Sequence, residues 1–129
     1  MTATQRTWAA AIVAAAAIIA CAKVPITGRR QLNLANEQEL MALSATEYAS
    51  FLGEHAPLPA GDPRSQMVQR VGERIAQAAT RFLNDNGMAK RVEGFEWTFN
   101  TVQDNTVNAW CMPGGRVVVY TGILPVTQD

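Results

Sequence analysis

From Val107 to Gly122 the sequence leaves the backbone little choice. Val107-Asn108-Ala109-Trp110-Cys111 is a short apolar run with a β-branched start and an aromatic, the composition of a strand. Pro113 fixes φ and removes a donor, and Gly114-Gly115 tolerate φ > 0, so these three residues make a turn. Arg116 to Thr121 follows with three consecutive valines and a tyrosine, the most strand-like run in the chain, and Gly122 ends it. The expectation is a β-hairpin. A stable domain built on it must cover the Val117/Val119 and Trp110 faces.

Upstream, Phe95, Trp97 and Phe99 alternate with Glu96, Thr98 and Asn100, the period of a half-buried strand. Two helices precede it. Asn36 is a good N-cap, Glu39 stands three residues later, and Met41, Ala45, Tyr48 and Leu52 give one stripe that ends at Gly53. Asp62-Pro63 opens a second helix as N-cap and N1, and Asn86-Gly87 closes it. Val68, Val71, Ile75, Ala78/Ala79 and Phe82 are its expected buried stripe, with Arg64, Arg70, Arg74 and Arg81 on a solvated face. The order helix, helix, strand, strand, strand gives an α+β class: two N-terminal helices, then a short antiparallel sheet ending in the hairpin.

The first twenty residues read differently. Arg6 is their only charge, and Trp8 to Ala20 is an uncharged alanine/isoleucine run, short of the roughly 20 residues a membrane span needs. A positive start, an apolar middle and a small residue at the end make a secretory signal over 1–20. Ile18-Ile19-Ala20-Cys21 resembles a lipobox, which implies that Cys21 is acylated and becomes the mature N-terminus. Several acyl chains anchor firmly where one is marginal. Ala22 rather than aspartate then implies the outer membrane, with the chain facing the periplasm. Residues 21–35 would be the lipidated start and an extended linker, broken by Pro25 and Gly28.

Eleven basic and eleven acidic residues balance, and no basic run interleaves with aromatics, so nucleic acid is not an expected partner. Two cysteines make neither a disulfide framework nor a Cys-x-x-Cys metal site. His55 is the only histidine, and a catalytic zinc takes three protein ligands. No catalytic or metal-ligating residue is therefore expected within these 129 residues. A Cys111–His55 thiol pair lacks an orienting third group.

Two segments carry a family resemblance. Asn108-Ala109-Trp110, Pro113-Gly114-Gly115, the valine strand, Tyr120-Thr121-Gly122 and apolar Ile123-Leu124 resemble the segment before the zinc helix in the metallopeptidase family of HtpX and the CAAX prenyl endopeptidases. Pro25-Ile26-Thr27-Gly28-Arg29-Arg30-Gln31-Leu32, followed by a helix with Leu43-Ser44 and Tyr48, resembles the opening of that family's bacterial lipoprotein branch. The resemblance implies that 36–129 is the N-terminal portion of a zincin-like domain. The His-Glu-x-x-His helix and the zinc would belong to residues beyond this chain. It implies polypeptide substrates lying along the hairpin, with Asn108, Ala109 and Trp110 as contacts and Pro113, Gly114 and Gly115 shaping the turn. Val117 and Val119 would pack against the zinc helix. The rival expectation is a short, non-catalytic lipoprotein that binds extended peptides as an adaptor or holdase.

Overall fold

The structure, a computed structural model, describes residues 21–23, 29–32 and 36–127. The expected signal segment, 1–20, lies outside the described residues. Near the start, β1 (Cys21–Lys23) pairs antiparallel with β2 (Arg30–Leu32), Cys21 opposite Leu32, which gives the linker a local ribbon. The remainder is a separate unit from Glu37 onward.

That unit begins with α1 (Glu37–Glu54) and α2 (Pro63–Asp85). Glu37 and Glu39 lie in the first turn of α1, where acids complement the helix dipole. Gly53 does not stop this helix. His55 N–H still donates to Phe51 O (2.8 Å), and the His55 ring stacks on Phe51 at 4.3 Å; Pro57 then ends the run. Asp62 caps α2 by accepting from Arg64 N–H at 2.8 Å, with Pro63 at the first helical position, and Gly87 (φ +69°) follows the end.

The sheet contains β3 (Thr98–Val102), β4 (Ala109–Met112) and β5 (Arg116–Tyr120), in the order β3-β5-β4. The hairpin β4–β5 is antiparallel, with Trp110 opposite Val118. A wholly antiparallel sheet does not form, because β3 runs parallel to β5, with Asn100 opposite Val118. The connection from β3 passes over the end of β5 before β4 begins, so β5 becomes the central strand. The ladder also starts three residues later than the Phe95 alternation suggests. Phe95 to Trp97 is an extended lead in which Glu96 N–H reaches Gly114 O (2.8 Å), because the turn faces it there.

The two helices cover opposite faces. Tyr48 of α1 bonds to Thr98 and Asn100, while Gly72 of α2 faces Phe99, and alternate strand residues point to opposite sides. Tyr48, Val102 and Val118 form the core on the α1 side, with Phe51, Leu52, Trp110, Met112 and Tyr120 against it. The stripe expected for α2 is corrected. Val68, Gly72 and Ala76 are buried, whereas Val71, Ile75 and Phe82 are 40%, 61% and 47% exposed. A Cβ built on Gly72 would meet the Phe99 ring, so the helix turns its small residues to the strand and leaves its large ones on the flank.

Gly72→Ala sets helix propensity against packing. Alanine gains about 1 kcal/mol in a helix interior, but overpacking a close contact costs about 1–3 kcal/mol. The clash involves the root of the Phe99 ring, not a mobile tip, so urea melts are expected to show net destabilisation. Acid stability is expected to depend on Asp62. Its side-chain bond with Arg64, then the Arg64 backbone bond, lowers the carboxyl from 3.8 to about 2. The folded value is depressed, so the cap's contribution is complete above 3.8 and lost as pH falls toward about 2. Asp62→Asn should flatten that part of the pH–stability profile.

Candidate functional site

The hairpin is held from behind by α1 at two points one helical turn apart. Ser44 Oγ donates to Pro113 O at 2.7 Å, pinning the turn, and Ser44 is buried. Tyr48 OH donates to Val117 O (3.2 Å) and accepts from Asn100 Nδ2 (2.8 Å) and Thr98 Oγ1 (3.3 Å). One hydroxyl thus ties α1 to β3 and β5. Trp110 packs edge-on to Tyr48 (6.2 Å) and Phe51 (4.9 Å), and its Nε1 donates to Tyr120 OH at 3.3 Å. The Leu-Ser and tyrosine of the resemblance therefore have a physical role: Ser44 and Tyr48 fix the height and tilt of the hairpin.

The Tyr120-Thr121-Gly122 end is equally specific. Thr121 Oγ1 donates to Asp104 O (2.9 Å) and accepts from Asp104 N (3.1 Å) and Gln103 Nε2 (3.2 Å). Gly122 N–H donates to the same Asp104 carbonyl at 2.7 Å. A Cβ on Gly122 would run into the backbone of Asn105 and Thr106, so glycine is required by close approach. Asp104 Oδ1 accepts from Thr106 N–H (2.7 Å), and bonds from Thr106 and attraction to His55 hold its carboxyl below the usual range. This locks the crossing from β3 to β4.

In the turn, Gly114 (φ +89°) and Gly115 (φ +85°) occupy conformations that favour glycine. Their carbonyls accept from Glu96 N–H and Thr98 N–H, and Pro113 O accepts from Ser44 and Arg116. Pro113, Gly114 and Gly115 spend their carbonyls inside the fold. Those bonds, with the two positive φ angles, shape the turn.

β4 is an edge strand, paired only with β5 among the described residues. Tyr120 N–H donates to Asn108 O at 3.1 Å, which sets the alternation. Asn108, Trp110 and Met112 direct their backbone groups to β5, so those of Ala109 and Cys111 point outward. Of the three expected contacts, Ala109 is an open edge position, Asn108 is exposed with its carbonyl spent on β5, and Trp110 has its ring in the α1 core. Cys111 is the edge residue that reading the motif alone passed over. Counting by twos from Ala109 finds it.

The α2 side of the sheet is covered only over β3. Val117 and Val119 of β5 are half-buried, and Ala109 and Cys111 of β4 are exposed. Gln66, Gln69 and Glu73 line a cavity with Leu58 and Thr101 at the outer edge of β3, which fixes the direction of that helix flank. At 100° per residue, Val71, Ile75 and Phe82 lie on the opposite flank, toward β5 and β4. An uncovered trough results, with Val117 and Val119 as floor and α2 as wall. β3 to β4 spans two strand spacings, about 10 Å, the separation of two packed helices.

No group of three or more His, Cys, Asp or Glu that could hold a metal occurs among the described residues. His55 Nδ1 lies 3.2 Å from Phe51 O at the end of α1, on the face away from Cys111. Desolvation raises the Cys111 thiol above its ordinary value, and with the sheet between the two residues no thiolate pair forms. These donors do not fit a catalytic zinc. No helix among the described residues is long and apolar enough to cross a membrane.

No family model matches the sequence. Curated relatives do. It is 28% identical over 107 residues to the mitochondrial metalloendopeptidase OMA1 of Danio rerio, covering 81% of this chain and 21% of that protein. The corresponding OMA1 proteins of Schizosaccharomyces pombe and Homo sapiens are 30% and 27% identical over the same share of this chain, which covers 28% and 19% of them. The chain is thus related to metallopeptidases, enzymes that depend on a metal, and it spans 19–28% of the length of these relatives.

Tyr48→Phe is the sharpest test of how the hairpin is positioned. It keeps the ring and removes the bonds to Asn100, Thr98 and Val117, leaving half-buried polar groups without that partner. A loss of about 1–3 kcal/mol is expected in urea unfolding. A change below about 0.5 kcal/mol, the usual size of a neutral surface substitution, would show that the hydroxyl is not the tie.

Proposed function

We propose that this chain is the N-terminal part of the catalytic domain of a membrane-anchored zinc metalloendopeptidase, of the group that includes HtpX and the CAAX prenyl endopeptidases. The observation that carries the reading is the trough beside an open strand edge. A helix seated over Val117 and Val119 would lie directly against β4, and a peptide added to β4 would lie along that helix. The relationship to metalloendopeptidases supports the same assignment. Zinc and its ligands would come from that helix and from residues outside this chain.

In this reading the substrate is an extended polypeptide, in keeping with envelope-protein quality control. It adds to β4 as a further strand through the backbone groups of Ala109 and Cys111. Asn108 flanks that edge, and the Pro113-Gly114-Gly115 turn bounds its far end. Trp110 sets the strand's position through its packing on α1. Acylation at Cys21 would hold the domain at the outer membrane, facing the periplasm.

The reading is tested on the native product, recovered from the membrane fraction with an antibody against residues 22–129. A lipidated species well above 14.0 kDa, with proteolysis abolished by a chelator and restored by zinc, is the expected result. Residues 22–129 alone should cut nothing with zinc added. A native product no larger than the acylated chain and devoid of proteolysis would overturn the peptidase reading and leave the peptide-binding adaptor.

A further inference from the structure

We propose a second binding site for an extended polypeptide, on the edge of the sheet opposite β4. There β3 is only half covered. Pro57 bridges Val102 and Leu58 N–H donates to Thr101 O (2.8 Å), the beginning of a fourth strand. Pro59 then turns the chain away, with Asp62 N–H bonded back to Pro59 O (2.9 Å). Glu96 and Thr98 direct their N–H groups to the hairpin, so by alternation Trp97, Phe99 and Thr101 direct theirs outward. No described residue takes the outward groups of Trp97 or Phe99.

Two cavities line this open stretch on the α2 side. One, of about 490 Å³, is bounded by Leu58, Gln66, Gln69, Phe99 and Thr101; the other, of about 330 Å³, by Ala76, Gln77, Thr80 and Trp97. Phe99 and Trp97 are two residues apart, which is the repeat at which a paired strand places side chains on one face. A peptide strand beside β3 would set alternate side chains into the two cavities. Gln66, Gln69 and Gln77 recur along the facing helix flank at steps of three and eight; their amides both donate and accept, although Gln69 Nε2 already spends one N–H on Glu73 Oε1 at 2.7 Å. They suit the second edge of a peptide backbone, whatever its sequence.

An independent observation marks the same place. Thr101 Oγ1 is buried without a hydrogen-bond partner, in a residue 2% exposed that borders the larger cavity. A buried hydroxyl with no partner is costly, and this one lies just beneath the wall of the cavity, where a peptide amide would reach it only if that wall opened. The cavity floor of Leu58 and Phe99 favours apolar or threonine-like side chains. Arg70 and Glu73 at its border carry opposite charges and give no net preference.

The test is amide hydrogen exchange on the full chain, with an acetylated and amidated hexapeptide of alternating threonine and valine as probe. Saturating probe is expected to slow exchange at Phe99 by about tenfold, the effect of closing an open strand edge. The double variant Gln66→Ala/Gln69→Ala changes exposed helix positions to a better helix former, so it should fold and should lose most of that protection. Unaltered exchange at Phe99, full protection in the double variant, or protection before any probe is added would each overturn the proposal. Ala109 and Cys111 report the β4 edge separately in the same experiment, so failure of the peptidase reading is distinguishable.

Discussion

The Tyr48 hydroxyl is the contact on which this sheet depends. A three-stranded sheet with one parallel pairing has no local reason to hold its register, because a crossing loop and the whole of β4 separate β3 from β5 along the chain. Tyr48 bonds to Thr98 and Asn100 on one strand and to Val117 on the other, so a slip of either breaks at least one bond in a buried place. Its ring meanwhile joins Val102 and Val118 in the core. Apolar packing alone would tolerate a shift of β3 by two residues. The hydroxyl does not, which is how a polar group in a core selects one arrangement.

Much of this was legible in the sequence, and what was not has a physical cause. The hairpin was readable because Pro-Gly-Gly and the valine run each admit few conformations. The caps at Asp62-Pro63 and Asn86-Gly87 were readable for the same reason, as local chemistry fixes them. The direction of β3 was not, since pairing is decided by where the chain returns, and that depends on Thr121 gripping Asp104 across the loop. The buried face of α2 does not follow its hydrophobic stripe. Close approach to Phe99 marks it instead, and close approach favours Gly72 and Ala76 over Ile75 and Phe82. Among the candidate contacts, Ala109 was accessible to motif reading, while the part of Trp110 in the core and of Cys111 at the edge required the register.

The exposed side of α2 and the open half of the sheet belong together. Val71, Ile75 and Phe82 are each at least 40% exposed, and by helical spacing they lie on the flank of α2 that turns toward half-buried Val117 and Val119 of β5. Tyr48, Val68, Ala76, Val102 and Val118 are the buried apolar residues among the described ones, a thin core for a unit this size. Apolar area therefore remains unspent, and part of it lies along a trough of one helix's width, while Leu40 and Leu43 of α1 are exposed as well. Scattered apolar residues need no explanation, whereas a contiguous patch marks a surface that something covers.

Recognition through the main chain demands an edge strand that is fixed from behind and free in front. Backbone bonds carry little sequence information, so their strength rests on distance and direction, and a strand that shifts by half an ångström loses them. Here the back is fixed twice, at Pro113 by Ser44 and at Val117 by Tyr48, with Trp110 wedged between Tyr48 and Phe51. The front holds Ala109 and Cys111 and is free of side chains from α2 because that helix stops short over β3. The same helix, by standing over β3, leaves its glutamine flank facing the other edge. One placement of α2, forced by the Gly72–Phe99 approach, thus decides the accessibility of both edges of the sheet.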